Sequence, residues 1–238
     1  MFNLSPSLPP ALRFACGAHV KGKFMPPFDA AIFDLDGLLL DTERLALAAG
    51  YEVLETLGLS ASDGLFEGLI GKDSGTSLRI IAESFGADFP RDTFKTLWDQ
   101  GFAAKLDHSI PLLPGAEEIL EALGRLGLPR GLATSSQQDR AHHKLAQSGL
   151  ARHFATVVSV DCVTRPKPAP DPYLLAAKRL GVHAKRCIAF EDSDTGAASA
   201  RAAGMVVVQV PDMQKTDGRF AHHLAQDLMS GARMAGLI

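Results

Sequence analysis

The sequence predicts an α/β fold, a doubly wound parallel sheet carrying a helical insertion, and three observations lead there. Five short apolar runs are each bounded by turn residues, as strands buried on both faces are. From residue 129 onward these runs alternate with amphipathic stretches that have legible ends. About 90 residues separate the first run from the second, far more than one crossover helix needs.

The first strand is "FDAAIFD", residues 28–34. Four amphipathic segments follow: "ERLALAAGYEVLETLG", "GTSLRIIAESFG", "DTFKTLWDQGFAAKL" and "GAEEILEALGRLG". The fourth, opening after Pro114 and Gly115, is long enough to be the crossover helix. That leaves residues 43–109 as a helical subdomain hung on the loop after the first strand. Asp41 and Thr42 fit a capping role at its entrance, and Trp98 and the phenylalanines fit its small apolar core.

The second strand is "PRGLAT", 129–134, and the helix after it is predicted to open on a capping box of Ser136 and Asp139 and to stop at Gly149. His142 and His143 lie about 100° apart on that helix, so they cannot make one metal face and read as surface residues. "ATVVSV", 155–160, is the third strand; the next helix has Asp171 as its N-cap, Pro172 in its first turn and Gly181 as its end. "RCIAFE", 186–191, then "SDTGAASARAAG", a helix ending at Gly204, and "MVVVQV", 205–210, complete the series.

Ligands and reactive groups of an open α/β sheet gather at the carboxyl ends of its strands. Here those ends carry Asp34 and Asp36, Thr134, the Lys167 loop, and Glu191 with Asp192. Residues i and i+2 of an extended stretch face one way, so Asp34 and Asp36 project together. With Glu191 and Asp192 opposite, such a cluster would force a proton onto at least one carboxyl unless a cation intervened. Mg²⁺ suits carboxylate and carbonyl ligands and keeps positions open for water and phosphate. "RPKPAPDPY" fixes Lys167 between two prolines, which suits an ammonium that admits a phosphate dianion. Thr134 and the backbone N–H groups of Ser135 and Ser136, at a helix start, supply phosphate oxygens with donors.

Composition bounds the rest. The chain has 238 residues, 46% hydrophobic and 21% charged, with a formal net charge of −3, so nothing global draws it to nucleic acid or to an anionic membrane. No apolar run approaches the roughly 20 residues that span a bilayer. Cys16, Cys162 and Cys187 are isolated and form neither a disulfide framework nor a metal motif, which fits a reducing cytoplasm. Residues 1–24, basic and rich in Pro and Gly, read as a flexible extension before a start at Met25.

Four dispersed motifs, "DLDGLLLDT", "LATSS", "RPKPAPD" and "FEDSDTG", stand in the order found in the haloacid dehalogenase superfamily, and the chain resembles its phosphohydrolases over residues 28–211. The resemblance implies a Rossmann-like core of five parallel strands (25–42 and 110–238) with a helical cap (43–109). It implies Asp34 as a nucleophile that forms an aspartyl phosphate and Asp36 as the acid and base free to carry a proton. It places Thr134, Ser135 and Lys167 on the phosphoryl group. Mg²⁺ would be held by Asp34, the Asp36 carbonyl and Asp192, with Glu191 beside or behind them. Asp36 argues against the dehalogenases and phosphonate hydrolases of the superfamily, which lack it. Related β-phosphoglucomutases carry a histidine shortly after the Asp-Thr pair, where this chain offers Arg44 and Ala46, and a basic residue in the cap loop, where Ser74 stands with Lys72 close by.

The expectation is therefore a cytoplasmic Mg²⁺-dependent phosphatase of a small phosphorylated metabolite, a sugar phosphate or phosphoglycolate-like compound. The alternatives are a phosphosugar mutase and a catalytically silent binder of phosphorylated ligands. The loop Gly71–Ser77 would descend over the site, and Lys72 in it either contacts the substrate or is simply solvated beside a capping Asp73 or Ser74.

Overall fold

The computed structural model describes residues 19–20, 23–24, 26–70 and 74–238. A two-residue antiparallel pair, β1 (His19–Val20) and β2 (Lys23–Phe24), lies within the expected extension. Lys72 and its neighbours Gly71 and Asp73 lie outside the described residues.

The five expected strands all form: β3 (Ala30–Phe33), β4 (Arg130–Ala133), β5 (Thr156–Val158), β6 (Cys187–Glu191) and β7 (Val206–Gln209). A sixth, β8 (His223–Leu224), extends one edge, so the sheet is six-stranded with order β5-β4-β3-β6-β7-β8 and is parallel throughout. Two residues with no apolar run carry no strand signal, and β8 is held by its pairing of Val208 with His223 and Gln209 with Leu224.

Alternation along β3 explains the two-sided core. Ala31 and Phe33 face one apolar cluster, which takes in α4 (Ala116–Arg125), α5 (Gln138–Gln147) and α8 (Leu228–Met234). Ala30 and Ile32 face the other, against α6 (Asp171–Leu180) and α7 (Asp194–Ala202). Phe33 stacks on Phe190 of β6 with ring centroids 4.8 Å apart, giving the middle of the sheet a rigid floor.

Between β3 and α4 run α1 (Thr42–Thr56), α2 (Ser74–Phe85) and α3 (Arg91–His108). They enclose a third apolar cluster around Leu54, Phe66, Ile81 and Phe94, and the Trp98 indole N–H donates to the Ala46 carbonyl (2.7 Å). The two chain segments joining these helices to the sheet lie side by side: the Asp41 N–H donates to Pro111 O (2.9 Å) and the Leu113 N–H to Leu39 O (2.9 Å).

Three expected caps are corrected. Ser136 and Asp139 do not form a capping box. Gln137 is the N-cap of α5, and Asp161 accepts from the Gln138 N–H (2.7 Å) while Ser136 is used elsewhere. Asp171 sits inside the first turn of α6, after Pro170, where Arg165 pairs with its carboxylate. Asp41 stands at the N-cap position of α1 but accepts from Arg44 (3.0 Å) instead of the helix backbone.

Candidate active site

Because β3, β4 and β6 are parallel and in register, their carboxyl ends bring residues 100 positions apart to one level. A cavity of about 470 Å³ opens there, lined by Asp34, Asp36, Thr134, Ser135, Lys167 and Asp192, together with Glu43 and Gln214. Every described residue expected in the core of the site is thus gathered except Glu191, which lies just beneath.

Lys167 is buried and its Nζ donates to Asp34 Oδ1 (2.5 Å) and Glu191 Oε1 (2.6 Å). Glu191 Oε1 also accepts from the Tyr173 hydroxyl (2.5 Å), and Lys167 lies over the Tyr173 ring, 5.2 Å from its centroid. Burial opposes the Lys167 charge, yet Asp34 and Glu191 keep it firmly protonated. Burial likewise pushes the Asp34 carboxyl up to about 7, against the pull of Lys167 and with the Glu191 charge adding to the rise. Asp192 is driven well above the carboxylate range by burial and then by the charges of Asp34 and Glu191. Both shifts come from burying like charges close together at the end of the sheet.

Asp36 behaves differently. Its Oδ1 accepts from Thr42 Oγ1 (2.7 Å) and Lys144 Nζ (2.6 Å), and its Oδ2 accepts from Ser136 Oγ (2.8 Å). Burial works to raise its carboxyl, but the Lys144 ammonium and these hydrogen bonds outweigh it and hold the group below the usual range. In this arrangement the Asp36 carboxylate is held as an acceptor by three side chains.

Lys144 was not among the expected site residues, nor was Tyr173, and Thr42 had been given only to capping. Thr134 is buried and its Oγ1 accepts from the Ser136 N–H (3.0 Å), which fixes the turn before α5. His142 and His143 are exposed as expected, His143 pairing with Asp107 (2.8 Å).

Asp34, Glu191 and Asp192 each offer a carboxylate oxygen within 4.8 Å of the others, all buried, and a hard cation with oxygen ligands fits this set. Two details favour it. Among the described residues no donor reaches the Asp192 carboxylate. Gly37, at φ 78°, leaves open the space beside Asp192, where a Cβ would stand 2.6 Å from Oδ2. Glu191 is the least available of the three, since Oε1 already serves Lys167 and Tyr173.

Glu43 connects this cavity to a second of about 270 Å³, lined by Ala46, Leu47, Leu69, Ile70, Trp98 and Phe102 with Ser77, Asp99 and Arg140. Glu43 Oε2 is buried without a partner among the described residues, and burial followed by the Asp212 charge raises its carboxyl. Arg44, next in sequence, makes a bidentate pair with Asp212 (2.7 and 3.0 Å).

Comparison with known proteins agrees with the geometry. A family model described as haloacid dehalogenase-like hydrolase matches residues 31–210. Fructose-1-phosphate phosphatase YqaB of Escherichia coli (strain K12) is 36% identical over 179 residues, covering 75% of this chain and 94% of that protein. A phosphorylated carbohydrates phosphatase of Thermotoga maritima is 32% identical over 177 residues, covering 74% and 82%. A HAD family hydrolase from Deinococcus radiodurans R1, solved with bound phosphate and sodium, superposes with a TM-score of 0.76 at 30% identity, covering 90% of this chain and 99% of that one.

Proposed function

Because the chain belongs to the haloacid dehalogenase-like hydrolases and is a phosphoric monoester hydrolase, we propose that it cleaves a small sugar phosphate or similar phosphorylated metabolite by way of a phosphoryl group on Asp34. The observation that carries this reading is Asp34 itself. It directly follows β3, lines the cavity, accepts from Lys167 and lies close to Asp192 and Glu191.

In this reading Asp34 attacks phosphorus in line with the departing alcohol, and Lys167, Thr134 and the Ser135 N–H take the equatorial oxygens. Asp36 hands a proton to the leaving oxygen and later takes one from water. Five carboxyl groups (Asp34, Asp36, Glu43, Glu191, Asp192) against two ammoniums (Lys144, Lys167) would repel a phosphate dianion. Mg²⁺ would be held by Asp34, Asp192 and the Asp36 carbonyl, with Glu191 behind, and would supply the missing positive charge. The helices between residues 43 and 109 act as a cap, and the apolar cavity beyond Glu43 receives the alcohol portion of the ester. Ala46, in the stretch where the mutases carry a histidine, lines that cavity with a methyl group, which favours hydrolysis over transfer between two positions.

The test is phosphate release from a panel of sugar and short-chain phosphates, with Mg²⁺ and with chelator. Release that requires Mg²⁺ and disappears in Asp34→Asn is expected. Release that survives either change would sink the assignment, and loss of substrate ester without free phosphate would point to a mutase.

A further inference from the structure

Lys144 projects from the second turn of α5 and is 5% exposed. Its ammonium has only two partners among the described residues, Asp36 Oδ1 (2.6 Å) and Ser136 Oγ (3.0 Å), and Ser136 Oγ in turn donates to Asp36 Oδ2 (2.8 Å). Thr42, at the start of α1, donates to Oδ1 from the other side (2.7 Å). Three separate elements thus converge on one carboxylate. Burying an ammonium is costly, and at a position flanked by buried Ala141 and Leu145 an apolar side chain would fill the space without that cost.

A carboxylate has about four acceptor sites, two on each oxygen. Oδ1 has both of its sites taken, by Thr42 and Lys144, whereas among the described residues Oδ2 accepts from Ser136 alone. We propose that Lys144 is a positioning residue for the hydrolytic half of the reaction: with Thr42 it saturates Oδ1, so that Oδ2 is the atom presented for proton transfer. The inference rests on the phosphatase reading above. In the step concerned, a water oxygen attacks the phosphorus of the aspartyl phosphate while the bond between phosphorus and the Asp34 oxygen breaks. The electron pair returns to that oxygen, and the water proton passes to Asp36 Oδ2. Without Lys144 the carboxylate turns about its side-chain torsions and that alignment is lost.

The experiment uses the full chain with Mg²⁺ and p-nitrophenyl phosphate, whose leaving group departs without needing a proton. Nitrophenolate release is followed from the first turnover, and phosphoenzyme is trapped by acid quench. Lys144→Met is expected to lower kcat roughly 100-fold, the scale at which a small misplacement acts. It should leave kcat/KM near the wild-type value, with a burst of nitrophenolate and accumulated phosphoenzyme. Lys144→Arg should restore most of kcat. Lys144→Gln, which keeps a donor without the charge, is the companion variant should the Met variant not fold, and it should show the same burst.

A wild-type kcat in the Met or Gln variant would overturn the proposal, as would equal losses in kcat and kcat/KM with no phosphoenzyme, the pattern of a merely structural lysine. Phosphate release surviving in Asp34→Asn would overturn the reading beneath it, and the proposal with it. Release lost in Asp34→Asn but unchanged in Lys144→Met overturns the Lys144 proposal alone.

Discussion

Glu191 is so closely held that the residue five places on has to be glycine. Its side chain is fully buried, with Oε1 between Lys167 and Tyr173, and a Cβ on Gly196 would lie 1.9–2.1 Å from its carboxylate atoms. The backbone at Gly196 is ordinary helix, so the requirement is for space. Gly196→Ala would gain about 1 kcal/mol of helix propensity. Displacing a pinned carboxylate costs more, so the variant should be destabilised by about 1–3 kcal/mol and should lose most of its phosphate release. Urea unfolding beside the release assay checks both; wild-type stability would mean the carboxylate moves freely. The two buried lysines show what local sequence can convey. Lys167 is marked by its flanking prolines, whereas Lys144 stands in "HHKLAQ", where a lysine reads as part of a solvated face. Its partner Asp36 is 108 residues away. One signal was available, since Ala141, Lys144 and Leu145 share the i, i+3, i+4 stripe that turns to the core. Thr42 was hidden differently, because a threonine at a helix start is explained by capping alone.

The same trade between helix propensity and space recurs between elements. Gly50, inside α1, accepts the edge of Phe66: a Cβ there would lie 2.2 Å from the nearest ring carbon, and Phe66 is fully buried against Trp98 at 5.7 Å between centroids. Gly50→Ala is therefore expected to destabilise by about 1–3 kcal/mol despite the gain of about 1 kcal/mol in propensity. Loss of protection should be concentrated in α1 and α3, read by hydrogen exchange, and an increase in melting temperature would contradict the packing argument. The type of the five longer strands and of the main helices was legible, because strands buried on both faces and amphipathic helices each impose their own period on the chain. β8 was not, since two residues cannot display a period. The caps at Ser136 and Asp171 were misread for a shared reason: a polar side chain near a helix start has competing partners, and Asp36 and Arg165 win them.

At the scale of the molecule, a net charge of −3 says little, because the imbalance is concentrated at one end of the sheet. Asp34, Glu191 and Asp192 lie buried together, and among the described residues only the Lys167 ammonium answers them directly, Lys144 being committed to Asp36. Their repulsion is a cost borne by the folded state, and a cation that binds only there should relieve it. At a Mg²⁺ concentration 100 times its dissociation constant, linkage stabilises the fold by about 2.7 kcal/mol. For a chain of this length that corresponds to a rise in melting temperature of roughly 5–10 °C. Asp192→Asn separates this from a general salt effect. It removes a carboxylate that no described donor reaches, so the metal-free variant should be at least as stable as wild type, yet its response to Mg²⁺ should largely vanish. Thermal melts of both proteins, with Mg²⁺ and with chelator at matched ionic strength, check the pair of outcomes. A variant that loses stability without Mg²⁺, or that keeps the full shift with it, would place the cation elsewhere than on Asp192.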